Sequence, residues 1–156
     1  MSINKPIEAD AFSPVQIEEF KKVLLDAGEV RAETFDNLIA RNPKIMFMNS
    51  VENPDGIGAL KMPFKDYRRE VFAKAESHKN SEDYQYELGW IVSLKKGCGK
   101  QIMECMLADA NGALYATVRK ENEIMIYLLK KYNFIQEGVP YNSTRGDYKL
   151  LLFIRE

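Results

Sequence analysis

Residues 86–100 read YELGWIVSLKKGCGK. The first half belongs to an apolar and aromatic run, Tyr84 to Val92, that reads as a strand. The second half is a turn carrying Gly97 and Gly99. After it Ile102, Met103, Met106, Leu107 and Ala110 recur at helical spacing, and Asn111-Gly112 supplies the stop. ALYATV from Ala113 is a second strand. Strand, glycine turn, helix, strand is a βαβ crossover, which makes this a mixed α/β chain.

Toward the C-terminus, Ile124, Leu128 and Tyr132 mark one side of a helix. It begins near Asn122 and stops at Asn133, since Asn is second only to Gly at the left-handed stop position. Strands follow near Phe134 to Val139 and Tyr148 to Ile154. Toward the N-terminus, Ser13, Pro14 and Gln16 predict a helix start with a capping box. Ile17, Phe20, Leu24 and Ala27 line its apolar face, and Gly28 ends it. A shorter helix carries Phe35, Leu38 and Ile39 and ends before Pro43. IMFM from Ile45 and IGALKM from Ile57 flank the turn NPDG, which predicts an antiparallel hairpin. Phe64, Tyr67, Val71 and Ala75 predict a further helix, with Glu70 able to pair with Lys74.

The chain has 156 residues, 46% hydrophobic and 29% charged, with a formal net charge of -1. That size fits one domain, 1–156, with a core of its own, and no repeat or linker divides it. The even charge balance provides no basic stripe for nucleic acid. No apolar run approaches the roughly 20 residues needed to cross a bilayer. The opening MSINKPIEADAF has no apolar segment of a secretory signal, so a cytoplasmic location is expected. Cys98 and Cys105 are too few for a disulfide framework and read as reduced thiols. The single His78 lies in the polar stretch ESHKNSED, without partners for a metal site or a nucleophile–His pair.

The glycine turn is the segment with chemical content. Backbone N–H groups at a helix start favour an anion, and glycine lets phosphate approach without a Cβ in the way. Lys95, Lys96 and Lys100 add positive charge. A nucleotide P-loop would need glycine at Leu94 and a hydroxyl at Gln101. A dinucleotide fingerprint would need glycine at Ile102. ATP and NAD are therefore disfavoured.

From Tyr86 to Phe134 the chain resembles the GNAT superfamily of acyl-CoA-dependent N-acyltransferases. Their main motif is a strand ending in an apolar pair, then Q/R-x-x-G-x-G/A opening a helix; here it is WIV, then LKKGCGK. A second element, N-x-x-[AM]-x-x-L-x-x-x-x-G-F, is matched by Asn122, Met125, Leu128, Asn133 and Phe134, with Asn in place of Gly. The resemblance implies an α/β (α+β) fold, a mixed central sheet of about six to seven strands flanked by helices. It implies acetyl-CoA as co-substrate, no metal, and a primary amine of a small molecule, peptide or protein as acceptor. A second copy of the chain is a further expected partner. Pantetheine would lie beside Ile91 and Val92, and pyrophosphate on the N–H groups of Lys96, Gly97, Cys98, Gly99 and Lys100. Asn122 would hold the pantetheine arm or cap the following helix. The family's Q/R position is Leu94 here.

Similar enzymes carry a glutamate on the strand feeding the cofactor turn, where it removes the amine proton. Glu87 occupies that place, with a strand-end residue paired to lysine as the other reading. Many also carry a tyrosine that protonates the leaving thiolate; its position here is Leu129. Tyr127 points about 200° away on the helical wheel, and Tyr132 about 60° away one turn on. Cys98 reads as a packing thiol rather than a nucleophile. The tail YNSTRGDY, with Tyr141, Ser143, Arg145 and Asp147, is either a solvated loop or an acceptor contact. A non-catalytic acyl-CoA-binding or partner-binding module on the same fold stands as the alternative to an enzyme.

Overall fold

The computed structural model describes residues 4–108 and 110–156. In chain order the strands and helices are β1 (Ile7–Glu8), α1 (Pro14–Asp26), α2 (Ala32–Ile39), β2 (Lys44–Met48), β3 (Gly56–Lys61), α3 (Lys65–Lys74), β4 (Tyr86–Ser93), α4 (Cys98–Leu107), β5 (Leu114–Arg119), α5 (Glu123–Lys131), β6 (Ile135–Asn142) and β7 (Lys149–Arg155). The strands hydrogen-bond in the order β1-β2-β3-β4-β5-β7-β6. The β4–β5 pair is parallel, as the crossover predicts, and β2–β3, β5–β7 and β6–β7 are antiparallel. The chain groups into two compact units: residues up to Met62 with Leu88–Ala110, and Pro63–Glu87 with Asn111–Glu156.

In the first unit α1 starts where the sequence says. The Ser13 hydroxyl accepts from the Gln16 N–H at 3.2 Å, and the Gln16 side chain accepts from the Ser13 N–H at 2.9 Å. Both orphan donors are thereby satisfied. The core of this unit is aromatic. Phe20 meets Phe47 edge-on at 5.6 Å, and Phe35 meets the Trp90 ring at 5.1 Å. Such pairs add about 0.5–1.5 kcal/mol each beyond area burial. Helix α4 lies close against β3 at two glycines: a Cβ on Gly58 would come within 3.1 Å of Ile102 and Met106 side-chain atoms. The apolar stripe Ile102, Met103, Met106 and Leu107 is buried, as expected.

In the second unit α3 covers one face of the sheet, with Val71, Phe72 and Ala75 packed among Tyr84, Tyr115, Tyr141, Leu152 and Ile154. The Glu70–Lys74 pair forms at 2.8 Å. Strand β6 carries an irregularity between Glu137 and Tyr141. There Gly138 adopts φ 70°, and the Val139 N–H donates to the Ala75 carbonyl at 2.8 Å. The bulge thus satisfies an orphan carbonyl at the end of α3.

Two expectations shift in detail. Tyr84 lies before β4, buried at the end of a short 3-10 turn (Ser81–Asp83), because its N–H closes that turn on Ser81. Helix α4 ends at Leu107, so Ala110 falls outside it. Trp90 takes φ 51°, a rare conformation for a bulky residue, while burial along β4 departs from alternation at the adjacent buried pair Glu87 and Leu88. Strand β1 is too short to leave a periodic signal and goes unforeseen. Among the described residues, no helix is long and apolar enough to cross a membrane, and no group of three or more His, Cys, Asp or Glu side chains could hold a metal ion. His78 is exposed, and both cysteines are free.

Candidate active site

Glu87 is 3% exposed, and among the described residues only Ser81 joins it as a buried polar or charged side chain outside the aromatics. A carboxylate is not taken out of water cheaply, and its surroundings are correspondingly polar. In the parallel register Glu87 stands opposite Tyr115. The Tyr115 hydroxyl donates to one carboxylate oxygen at 3.4 Å, and the Thr117 hydroxyl to the other at 3.3 Å. Tyr115 and Thr117 are two apart on β5 and so share a face. The register carries that face onward, since Tyr115 faces Ile154, Thr117 faces Leu152, and Tyr141 faces Leu150. Tyr141 therefore belongs to the same face as Glu87. Tyr67, one turn before Val71 on α3, completes the group.

The electrostatics tie Glu87, Tyr67, Tyr115 and Tyr141 together. The Glu87 charge, then burial, holds the Tyr67 phenol well above its ordinary value, while the Arg145 guanidinium and a hydrogen bond with Thr117 act the other way. Burial first, then Glu87, does the same for Tyr115 and Tyr141. The protons consequently stay on the phenols at neutral pH. The ring surface leaves Tyr67 42% exposed overall, so it is the hydroxyl end that lies in the desolvated cluster. Tyr141 is 8% exposed, and its hydroxyl has no hydrogen-bond partner among the described residues.

The glycine turn belongs to the other unit. Gly97 takes φ 87° at the N-cap of α4, where no side chain caps the helix. The first-turn N–H groups therefore lack a side-chain acceptor and favour an anion. A Cβ on Gly97 would meet nothing within 4 Å. One N–H of the turn is engaged, because Cys98 donates to the Lys95 carbonyl at 3.2 Å. The Cys98 thiol is buried and lies 3.8 Å from the Gln101 side-chain oxygen. Gly99 is half-buried, and Lys96 and Lys100 are exposed.

Lys95 does not act as a loose cation, since it pairs with Asp55 at 3.0 Å. Asp55 is held below its usual carboxylate value by its hydrogen bond from Asn49 and then by Lys95, and the Leu94 N–H donates to its carbonyl at 2.9 Å. The NPDG turn thereby pins the connection between β4 and α4. Ile91 is half-buried and Val92 is buried on β4, whose registered pairing with β5 covers only Tyr86↔Leu114 and Glu87↔Tyr115. Asn122 caps α5, its side-chain oxygen accepting from the Met125 N–H at 3.1 Å. Leu129 is completely buried, whereas Tyr127 is 60% exposed.

Sequence reasoning singled out Glu87 but passed over Tyr67, Tyr115 and Thr117 as its companions. The parallel crossover contained a clue to two of them: a strand beside Glu87 must offer it alternate residues, and LYAT offers Tyr115 and Thr117.

No protein-family model and no curated protein matches this sequence. Solved structures do match in fold. Arabidopsis thaliana NAA60 with acetyl-CoA superposes with a TM-score of 0.64 at 16% identity, covering 96% of this chain and 95% of that one. The same protein with a bisubstrate analogue gives 0.62 at 16% identity, with 92% and 93% covered. A Desulfovibrio desulfuricans protein named as a candidate acetyltransferase of the GNAT family gives 0.59 at 13% identity, with 92% and 94% covered. The seven-stranded sheet with its parallel β4–β5 pair and the helices around it is the GNAT acetyltransferase fold.

Proposed function

We propose that this chain is one GNAT N-acetyltransferase domain that moves an acetyl group from acetyl-CoA to a primary amine. The observation that carries the reading is the buried Glu87 carboxylate, held by Tyr115 and Thr117 on the strand that runs into the uncapped α4 turn. The fold shared with a protein solved with acetyl-CoA supports it.

The turn suits a pyrophosphate. Its amides at Lys96, Gly97, Gly99 and Lys100, the α4 dipole and the exposed Lys96 and Lys100 supply donors and charge. Ile91 and Val92 offer backbone groups of β4 beyond its registered pairing with β5, suited to the amides of a pantetheine arm. Asn122 uses its side-chain oxygen on α5, which leaves its NH₂ as the group that could meet the same arm. Acetyl-CoA supplies the thioester carbon that the amine attacks. Glu87 receives the amine proton as the N–C bond forms and the C–S bond breaks, and the thiolate leaves to take its proton from solvent. Thiolate is a good leaving group, so the buried Leu129 in place of a tyrosine acid slows this step without preventing it.

Leu129 also favours a second reading, a module that binds acyl-CoA without turnover. Two measurements divide the readings. Acetyl-CoA should raise the melting temperature, with a gain of roughly 2.7 kcal/mol at a concentration of about 100 times Kd. ATP should not reproduce it. Thiol release across a panel of amines then marks the enzyme, and binding without release marks the module. No shift with millimolar acetyl-CoA refutes both.

A further inference from the structure

The acceptor's own chemistry can be read from the Glu87 side of the site, on the acetyltransfer reading above. Two buried side-chain polar atoms have no hydrogen-bond partner among the described residues: the Tyr141 hydroxyl and Nε of Arg68. Both are donors, both lie in the unit that holds Glu87, and Arg68 adjoins Tyr67 on α3. A buried donor left unmade costs about 1–3 kcal/mol, so such groups in a folded protein point to a partner that arrives with a ligand. The Tyr115 and Thr117 hydroxyls, by contrast, are already spent on Glu87.

Tyr141, with its unmet donor, shares the sheet face of Glu87. Four residues later, in the turn after β6, stands Arg145, exposed and without an ion pair among the described residues. That turn is held in shape: the Ser143 N–H donates to the Tyr148 carbonyl at 3.0 Å, and the Arg145 N–H donates to the Ser143 hydroxyl at 3.0 Å. The Arg145 charge reaches the Tyr67 hydroxyl, which itself feels Glu87. An acid, a donor and a guanidinium in one cluster complement a ligand that carries both an ammonium and an anionic group.

We propose that the acceptor is a primary amine bearing a carboxylate, its amine directed to Glu87 and its carboxylate taken by the Tyr141 hydroxyl and Arg145. A guanidinium presents paired donors to a carboxylate, which a neutral amide cannot use equally. Hydrophobic amines lacking the anion would leave Tyr141 and Arg145 unmet, and a site built around polar donors rejects such analogues strongly.

The test uses matched acceptors, free amino acids and their amides, with acetyl-CoA and thiol release as the readout. Wild type should prefer the carboxylate form by about tenfold or more in kcat/KM. Arg145→Gln should raise KM for the carboxylate form by about tenfold while leaving the amide and acetyl-CoA values unchanged. Tyr141→Phe should lower kcat/KM for the carboxylate form yet unfold no more easily than wild type without ligand, because it removes a hydroxyl that bonds nothing in the fold. A purely structural Tyr141 would instead lose stability. Equal use of both forms, a preference for amides, or an unchanged ratio in Arg145→Gln overturns the inference and leaves acetyltransfer standing. No acetylation of either set with acetyl-CoA bound removes the catalytic reading, and the inference with it.

Discussion

Gly138→Ala should be among the more damaging single-methyl additions to this chain, and its cost can be built from two terms. Gly138 has φ 70°, and an L-residue in the left-handed region loses about 1–2 kcal/mol. Its added Cβ would stand 1.9 Å from the Ala75 carbonyl oxygen and 2.9 Å from the carbonyl carbon. Backbone cannot rotate aside as a side chain can, so β6 or the end of α3 must shift. The Val139 to Ala75 hydrogen bond at 2.8 Å spans the same contact and lengthens with it. Forced overpacking of this kind adds about 1–3 kcal/mol. The sum, about 2–5 kcal/mol, lowers Tm by about 4–20 °C for a chain of this size. Gly97→Ala is the matched control: φ is 87°, but nothing lies within 4 Å, so only the first term applies. Its expected loss is about 1–2 kcal/mol. Urea denaturation of both variants, with the m-value checked for constancy, measures the difference. Equal losses in the two variants would show that the β6 bulge does not hold the close contact with α3 on which the placement of Tyr141 depends.

Glu87→Gln should lower kcat by about 10²–10⁴-fold with acetyl-CoA affinity retained, measured by thiol release and by titration of the binding; full activity would assign the base elsewhere. Ser13→Ala removes the hydroxyl that accepts from the Gln16 N–H, leaving the Ser13-position N–H to the Gln16 side chain, and should cost about 1 kcal/mol, read from a denaturant midpoint. Alkaline stability offers a check on the buried phenols. Tyr84, Tyr115 and Tyr141 all have values raised above 10.0, by burial first and then by neighbouring carboxylates. Because the folded values are raised, stability is intact below the unfolded phenol value and falls above it, by up to about 1.4 kcal/mol per pH unit for each phenol. Denaturation midpoints between pH 9 and 11 should therefore decline, less steeply in Tyr115→Phe; an unchanged slope in that variant would mean that its hydroxyl is not desolvated.

Local signals served well wherever a short segment decides its own conformation. The Ser13 box, the Gly28 stop, the NPDG hairpin and the Asn133 stop all stand where the residues predict, because each depends on φ preferences and hydrogen bonds spanning a few residues. Register was less accessible. Tyr115 and Thr117 could be seen as strand residues, but only the alignment of β5 with β4 turns them toward Glu87. Tyr67 and Tyr141 lie 20 and 54 positions from Glu87 in the chain, by subtraction of their numbers, and no periodicity links such distances.

The turn shows the same division in its charges. Lys95, Lys96 and Lys100 are alike in the sequence and all exposed, yet Asp55 pairs with Lys95. Leu129 looks like a vacant catalytic position in the motif, while its complete burial makes it a packing residue. From the sequence alone came the βαβ order, the glycine turn and a carboxylate on the strand before it, since backbone freedom and hydrophobic period are written residue by residue. Which hydroxyls surround that carboxylate, which donor stays unmet and which lysine Asp55 holds were decided by tertiary structure, because strand register and helix docking bring together groups whose separation in the chain carries no record of their contact.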